Sequence, residues 1–265
     1  MFSQDQIQAY LDRIGFVGEP SVSKETLDEL VFCHQKSVPF ETYDIHATGK
    51  APALDEASLY DKIVVRCRGG YCFELNKTFE LLLVAIGFDA RPVLSRAVRG
   101  REGRMPINHR GLLVTLDGID YSLDVGFGGP MPAGALALID GQEQNIRGEL
   151  YTPRNIDGMW WAIDRITRCS LDFFDDNVPE RKQTELEVCL AKVEDIDFGP
   201  LSTAFSQPGT LFHDFIVCNR RLENGHYALK DYVLTIRDNG QKTVVEFAND
   251  EELNAALLEY FGMRV

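Results

Sequence analysis

Residues 68–76 read R-G-G-Y-C-F-E-L-N, and the run continues K-T-F-E-L-L-L-V-A-I-G to residue 87. Two glycines bring the chain to Cys72, and a helical pattern leaves it. Leu75, Phe79, Leu82, Leu83 and Ile86 fall on one face of that helix, and Gly87 is placed to end it. A cysteine at a helix start sits where unpaired N–H groups and the helix dipole favour its anionic form. The same N–H groups are placed to stabilise an oxyanion. The glycines are expected to let the backbone turn sharply into the helix. Of six cysteines (33, 67, 72, 169, 189 and 218), Cys72 alone has this frame, which makes it the candidate nucleophile.

The chain around it is 265 residues long, enough for one large domain or two to three small ones. Its composition, 45% hydrophobic and 26% charged, is that of a soluble globular protein. No apolar run is long enough to span a bilayer, and the start, M-F-S-Q-D-Q-I-Q, lacks a signal-peptide pattern. These readings place the chain in the cytoplasm, with its cysteines as free thiols. Cys67 and Cys72 are five apart, but no second pair or His-x-x-x-His completes a zinc pattern, so no metal is expected. The net charge of −14 argues against nucleic acid as a partner. Positive charge is concentrated in residues 90–110, where Arg91, Arg96, Arg99, Arg101, Arg104 and Arg110 face one glutamate, Glu102.

Before Cys72 the pattern is helical. Ser3 and Gln6 form a capping box ahead of Ile7, Tyr10, Leu11 and Ile14. Leu27, Leu30, Val31 and His34 make a second stripe that stops before Pro39. From Arg91 the pattern becomes strand-like, and Asp117-Gly118 is a type I′ hairpin signal between two alternating runs. The segments at 160–166 and 186–193 read as further strands. Beyond Phe198-Gly199-Pro200, strands at 213–218 and 232–237 lead to a last helix capped near Asn249. A helical front, a strand-rich middle and a small α/β end make an α+β protein.

The hairpin supplies partners for the thiol. With Asp117 and Gly118 as the turn, Leu116 faces Ile119, Gly111 faces Asp124, and His109 faces Gly126. His109 and Asp124 are then diagonal neighbours on one face, about 7 Å apart at Cβ. In this count Gly126 leaves room for the ring. Of the other histidines, His34 lies on a core stripe, and His46, His213 and His226 have nothing evident to orient them. Cys72, His109 and Asp124, in that order, are the parts of an activated thiol nucleophile.

The motifs are similar to those of the arylamine N-acetyltransferases. R-G-G-Y-C-F-E-L-N resembles that family's active-site signature, and V-P-F-E at 38–41 its Pro-Phe-Glu segment. N-H-R-G-L-L-V at 108–114 resembles the stretch holding its histidine, and D-V-G-F-G-G-P at 124–130 the stretch holding its aspartate. R-R-L-E-N-G-H-Y-A-L-K-D-Y-V-L-T-I looks like its C-terminal sheet. The chain departs from the family at Thr42-Tyr43, where Asn-Leu is usual, and at the loosely matched segment before the lid.

The resemblance implies a Cys72–His109–Asp124 triad on three units. These are a helical domain at 1–90, a β-barrel at 91–199 and an α/β lid at 200–265. It also implies acetyl-CoA as acyl donor and an arylamine or hydrazine nitrogen, or the oxygen of an N-hydroxyarylamine, as acceptor. On that footing Arg96, Arg99, Arg101 and Arg104 are candidates to meet the phosphates of CoA. Gly126, Gly128 and Gly129 are candidates to admit its pantetheine arm, and Phe127 to face an aromatic acceptor. Glu41 and Arg68 read as an ion pair under the site. The same triad also serves thiol hydrolases and transglutaminase-like enzymes, and the family includes amide synthases.

Overall fold

The computed structural model describes residues 1–167 and 181–265. Cys169 lies outside the described residues.

Helix α1 (Gln4–Ile14) starts with the capping box, Ser3 Oγ accepting from Gln6 N and Gln6 Oε1 accepting from Ser3 N. Helix α2 (Lys24–Ser37) buries Leu27, Leu30, Val31 and His34. A two-residue strand β1 (Phe40–Glu41) and short helices α3 (Tyr43–Thr48) and α4 (Glu56–Tyr60) follow, with a π-helical turn at Asp61–Val65. Helix α5 (Cys72–Ile86) begins at the cysteine itself. Its Leu75, Phe79, Leu82 and Leu83 are fully buried against α1 and α2 on one side and Leu112, Val114 and Leu123 on the other.

The next strands are β2 (Asp89–Ala97), β3 (His109–Leu116), β4 (Ile119–Leu123), β5 (Leu136–Ala137), β6 (Gln144–Ile146), β7 (Glu149–Asn155), β8 (Trp160–Thr167) and β9 (Arg181–Cys189). They form one barrel-like sheet in the order β5-β4-β3-β2-β9-β8-β7-β6. Its two edges meet through a side chain. Gln144 accepts from Ala137 N at 3.0 Å and donates to Ala137 O at 2.8 Å, imitating a strand pair between β6 and β5. The Asp117-Gly118 turn has φ of +52° and +78°, as a type I′ hairpin requires, and Leu116 pairs with Ile119.

Beyond the barrel come α6 (Phe198–Phe205), α7 (Leu211–Asp214), β10 (Val217–Arg221), β11 (Gly225–Lys230), β12 (Val233–Asp238), β13 (Gln241–Glu246) and α8 (Asp250–Phe261). Phe198-Gly199-Pro200 opens α6, since proline is tolerated in the first turn of a helix. One sequence expectation changes here. His213 and Asp214 belong to α7, so the strand starts only at Val217. The second sheet has the order β1-β10-β11-β12-β13, so its edge strand comes from the helical front of the chain. Helix α8 covers it with Leu253, Leu257 and Phe261. The fold is α+β, and among the described residues no helix is long and apolar enough to cross a membrane.

His34 sits in the helical core, fully buried, with its Nε2 2.9 Å from Tyr10 Oη. Burial, with Arg13 nearby, holds its imidazole down to about 3. Neutral when folded but protonating near its ordinary 6.5 when unfolded, His34 favours unfolding as pH falls through that window. Denaturant unfolding between about pH 6 and pH 4 should therefore lose stability more steeply in wild type than in His34→Gln. The difference should approach about 1.4 kcal/mol per pH unit. Equal slopes would show that His34 does not carry the acid sensitivity assigned to it.

Candidate active site

The backbone before Cys72 is shaped by close contacts. A Cβ on Gly69 would lie 2.1 Å from Pro39 O, and one on Gly70 would lie 2.8 Å from Glu74 Oε2. Neither glycine has positive φ. The close contacts give these glycines a packing role: they pass between β1 and the first turn of α5, where no side chain fits. Glu41 N donates to Gly70 O at 2.9 Å, which ties the segment to β1.

Beneath this segment lies an ion cluster larger than the expected pair. Arg68 donates to Glu41 at 2.8 Å and to Asp44 at 3.1 Å. Lys62 reaches Asp44 and Glu74, each at 2.9 Å. Glu41, Lys62, Arg68 and Glu74 are all buried. Burial, with Glu41 adding to it, pushes the Glu74 carboxyl up to about 7 although Lys62 pulls it down. This matters for Cys72, because Glu74 stands two residues further along the same helix and accepts from Tyr71 N at 3.2 Å.

His109 and Asp124 meet directly, Nε2 to Oδ2 at 2.5 Å, and both are buried. The β3–β4 ladder ends at Leu112–Leu123, so Asp124 lies just past the strand and not at the diagonal position counted from the turn. Gly126 also differs from expectation. A Cβ there would lie 2.8 Å from Cys72 Cα, so its bareness admits helix α5 and not the imidazole. Burial disfavours the charged ring, but Asp124 and then Cys72 outweigh it and push His109 up to about 10. Cysteine, histidine and aspartate are thus brought together, and Nδ1 is the ring nitrogen that Asp124 does not use.

Sequence reasoning missed Asn76, one turn beyond Cys72. Its Nδ2 donates to Asp124 Oδ1 at 2.9 Å and to Arg110 O at 2.5 Å, and its Oδ1 accepts from Val125 N at 2.9 Å. The available signal was a buried polar residue at i+4 from the nucleophile, inside an apolar stripe. Gly126 N gives Asp124 Oδ1 a second donor at 2.9 Å. Gln35, equally unforeseen, donates to Asp124 O at 2.8 Å and Pro132 O at 3.0 Å.

The loop after Asp124 is held from outside by the second sheet. Asn219 donates to Gly128 O at 3.1 Å and Arg221 to Met131 O at 2.8 Å. Gly128, at φ +64°, has no room for a Cβ because Phe40 lies 2.7 Å away. At Gly129 the neighbour is the Arg99 guanidinium, at 2.8 Å. Phe127 packs edge-on against His109 with ring centroids 5.6 Å apart, and Arg99 lies over its other side at 5.5 Å. Gly126 is thus set against the backbone of α5, whereas Gly128 and Gly129 meet only side chains, those of Phe40 and Arg99, and both line the cavity described next.

The four arginines do not act as one patch. Arg96 is paired with Glu187 at 3.0 Å and stacked on Trp160 at 3.6 Å, a structural pairing within the barrel wall. Arg99 lines a cavity of about 530 Å³ beside Phe127, Gly128 and Gly129. Arg101 and Arg104 stand exposed on the loop beyond. Among the described residues no group of three or more His, Cys, Asp or Glu is arranged to hold a metal ion.

A protein-family model described as N-acetyltransferase matches residues 23–265. The arylamine N-acetyltransferase of Escherichia coli is 28% identical over 97% of this chain and 88% of its own length. Proansamycin X synthase of Amycolatopsis mediterranei is also 28% identical, over 94% of each chain. The solved arylamine N-acetyltransferase of Salmonella typhimurium superposes with a TM-score of 0.88 at 26% identity, covering 99% of this chain and 92% of that one. The Mycobacterium marinum arylamine N-acetyltransferase solved in complex with CoA gives 0.85 at 25% identity, covering 97% and 92%.

Gly126→Ala tests the packing of the loop on α5. Its methyl has backbone as its neighbour, so relief requires the loop or the helix to move, at a cost of about 1–3 kcal/mol. Thermal unfolding should show a clear drop for Gly126→Ala and a smaller one for Gly118→Asn, where the space is open and asparagine tolerates the left-handed φ of +78° better than other side chains do. Equal stability of Gly126→Ala and wild type would contradict the close approach.

Proposed function

The chain belongs to the arylamine N-acetyltransferase family, and from that premise we propose that it transfers acetyl from acetyl-CoA through an acetyl-Cys72 intermediate to an arylamine or hydrazine nitrogen. What carries this reading is the convergence at His109: its Nε2 is held by Asp124, and its charge is favoured by Asp124 and Cys72 together. A ring so placed takes the proton from sulfur and stays with it as an ion pair. The dipole of α5 acts in the same direction on a thiolate at its first residue.

Sulfur attacks the thioester carbonyl, the bond from acetyl to CoA breaks, and the departing CoA thiolate takes the proton from the imidazolium. An aromatic amine, neutral at pH 7, then attacks the acetyl carbon. His109 accepts the proton from nitrogen and returns it to the Cys72 sulfur as the acyl–sulfur bond breaks. Phe127, edge-on to His109, offers the acceptor ring an apolar wall beside the base. Arg99, Arg101 and Arg104 remain the loop residues placed to meet donor phosphates. Arg96 drops out because its charge is already answered by Glu187.

A second acceptor class has its own support. Identity to proansamycin X synthase equals that to the E. coli acetyltransferase, and its name is that of a synthase. In that reading the same acyl-cysteine passes a longer acyl chain to an amine within a larger product. Acyl-CoA donors of increasing length, offered to the same aniline, separate the two by which acylates Cys72 fastest.

The acetyl-enzyme is the decisive observable. Enzyme mixed with acetyl-CoA and no amine should release about one equivalent of CoA in a burst. The protein should gain one acetyl mass, mapping to Cys72, and lose it when an aniline is added. Double-reciprocal plots at several amine concentrations should be parallel. Asp124→Asn, folded, should turn over about 10³–10⁴ times more slowly, as other triads do without their acid. Intersecting lines with no acetyl-enzyme would point instead to direct transfer in a ternary complex.

A further inference from the structure

The loop from Asp124 to Pro132 carries the triad aspartate and Phe127, and a single side-chain amide ties its two ends. Gln35 Nε2 donates to Asp124 O at 2.8 Å and to Pro132 O at 3.0 Å. The two carbonyl oxygens therefore stand within about 6 Å of each other, whereas eight extended residues would reach about 26 Å. The chain doubles back into a loop with joined ends. The amide cannot be turned round, because its oxygen would then face two carbonyls with no proton between them.

Gln35 is held in turn by the helix that bears it. The preceding residue, His34, is fully buried between Tyr10 of α1, which its Nε2 meets at 2.9 Å, and Phe79 of α5, whose ring lies edge-on with centroids 5.2 Å apart. Helix α2 is thus fixed against α5, the helix that begins at Cys72. From α5, Asn76 holds the Asp124 carboxylate at Oδ1; from α2, Gln35 holds the Asp124 carbonyl. Two helices packed on each other grip one residue at both of its polar groups. The crest of the loop is tied elsewhere. Asn219 and Arg221 of the second sheet donate to Gly128 O and Met131 O. Neck and crest therefore answer to different parts of the fold.

We propose that Gln35 is a positioning residue for the triad, setting Asp124 against His109 through the neck of this loop, while the second sheet places the crest with Phe127. The inference rests on the proposed function only for the reaction it serves. A neutral amide suits the task. It supplies two N–H groups to two carbonyls, and it brings no positive charge to draw the Asp124 carboxylate away from the imidazole. Without it the two carbonyls face each other with no donor, and the neck is free to open. Asp124 then moves relative to the ring, and a displacement of about 1 Å at such a contact costs up to about a hundredfold in rate.

Alkylation of Cys72 by iodoacetamide on the full chain, mapped by peptide mass spectrometry across a range of pH, tests this. Gln35→Met keeps the length of the side chain and loses both donors. In that variant Cys72 should react about tenfold or more slowly at neutral pH. The acid limb of its profile should also move to higher pH. Asp124, which raises His109 together with Cys72, then stabilises the imidazolium less, and the thiolate beside it less in turn. Asn219→Ala frees the crest and leaves the neck tied, so it should keep the wild-type profile. A folded Gln35→Met with the wild-type profile would refute the proposal. So would an Asn219→Ala profile displaced as far as that of Gln35→Met, since the neck would then be one tie among several. A measurement on the wild type needs no variant: both Nε2 protons of Gln35 should exchange with solvent about tenfold or more slowly than those of exposed Gln4. Equal exchange at the two glutamines would overturn the two-bond neck. Alkylation requires neither acyl donor nor amine. Failure of acetyl-CoA to acylate Cys72 would count against the functional reading, and the alkylation profiles would still judge Gln35.

Discussion

The site depends on one neutral amide. Asn76 sits a turn above Cys72 and holds both strands that bring the other two groups. Through Arg110 O it fixes the residue after His109, and through Val125 N the residue after Asp124. A third bond orients the Asp124 carboxylate itself. Helix, strand and loop are thereby locked in one frame measured from the nucleophile. Each such bond is worth only about 1 kcal/mol net, but leaving the buried partners unpaired costs more. An aspartate here would place a second carboxylate against Asp124 and compete for the imidazole. A leucine, which the apolar stripe would otherwise suit, would remove the Asn76 partner of the Arg110 carbonyl and the Val125 N–H and leave Asp124 Oδ1 with Gly126 N in place of two donors.

Around that frame, charge is arranged in layers of different burial. The Glu41–Asp44–Lys62–Arg68–Glu74 cluster contains three carboxylates and two cations. Burial pushes the Glu74 carboxyl up, while Lys62 beside it opposes that shift. A similar logic holds at Arg110, whose fully buried guanidinium meets Glu80 and Asp195 and lies over the Phe198 ring at 4.5 Å. That contact draws the segment leading into α6 onto α5 and β3, next to His109. Buried pairs of this kind are poor sources of net stability, because desolvation offsets most of their attraction. Their effect is to fix position: removing either partner leaves a buried charge unanswered.

Much of this was legible in the sequence because it is local. The capping box at Ser3, the buried stripe of α5 and the positive-φ turn at Asp117-Gly118 each follow from a few neighbouring residues. The hairpin count brought His109 and Asp124 together although the ladder stops short of them, since a loop leaving a strand keeps its direction for a residue or two. What escaped was non-local. Nothing near Gly126 announces that α5 will pass at contact distance. The arginines at 165, 181, 220 and 237 are scattered over more than seventy positions and converge only when two sheets face each other. The R-rich run at 90–110 drew attention by its density, yet Arg96 is turned to Glu187 and Arg110 to Glu80 and Asp195. Density along a chain is not density in space.

The packing of the glycines bears on the order of events. Gly69 and Gly126 each stand against backbone atoms closer than a side chain allows. The backbone on either side of Cys72 is therefore closely packed, and Cys72 itself is only 2% exposed. On the proposed reading, donor and acceptor must both reach one sulfur through that restricted approach. A pantetheine arm and an aromatic ring cannot occupy it together, so the acetyl group has to wait on the protein while one leaves and the other enters. Water enters more easily than either, which makes the fate of the acetyl-enzyme a question of geometry. An arylamine resting on Phe127 lies beside His109 with its nitrogen directed by the ring it carries, whereas a water molecule has no such hold. The same narrowness that enforces two half-reactions thus gives the amine its advantage over hydrolysis.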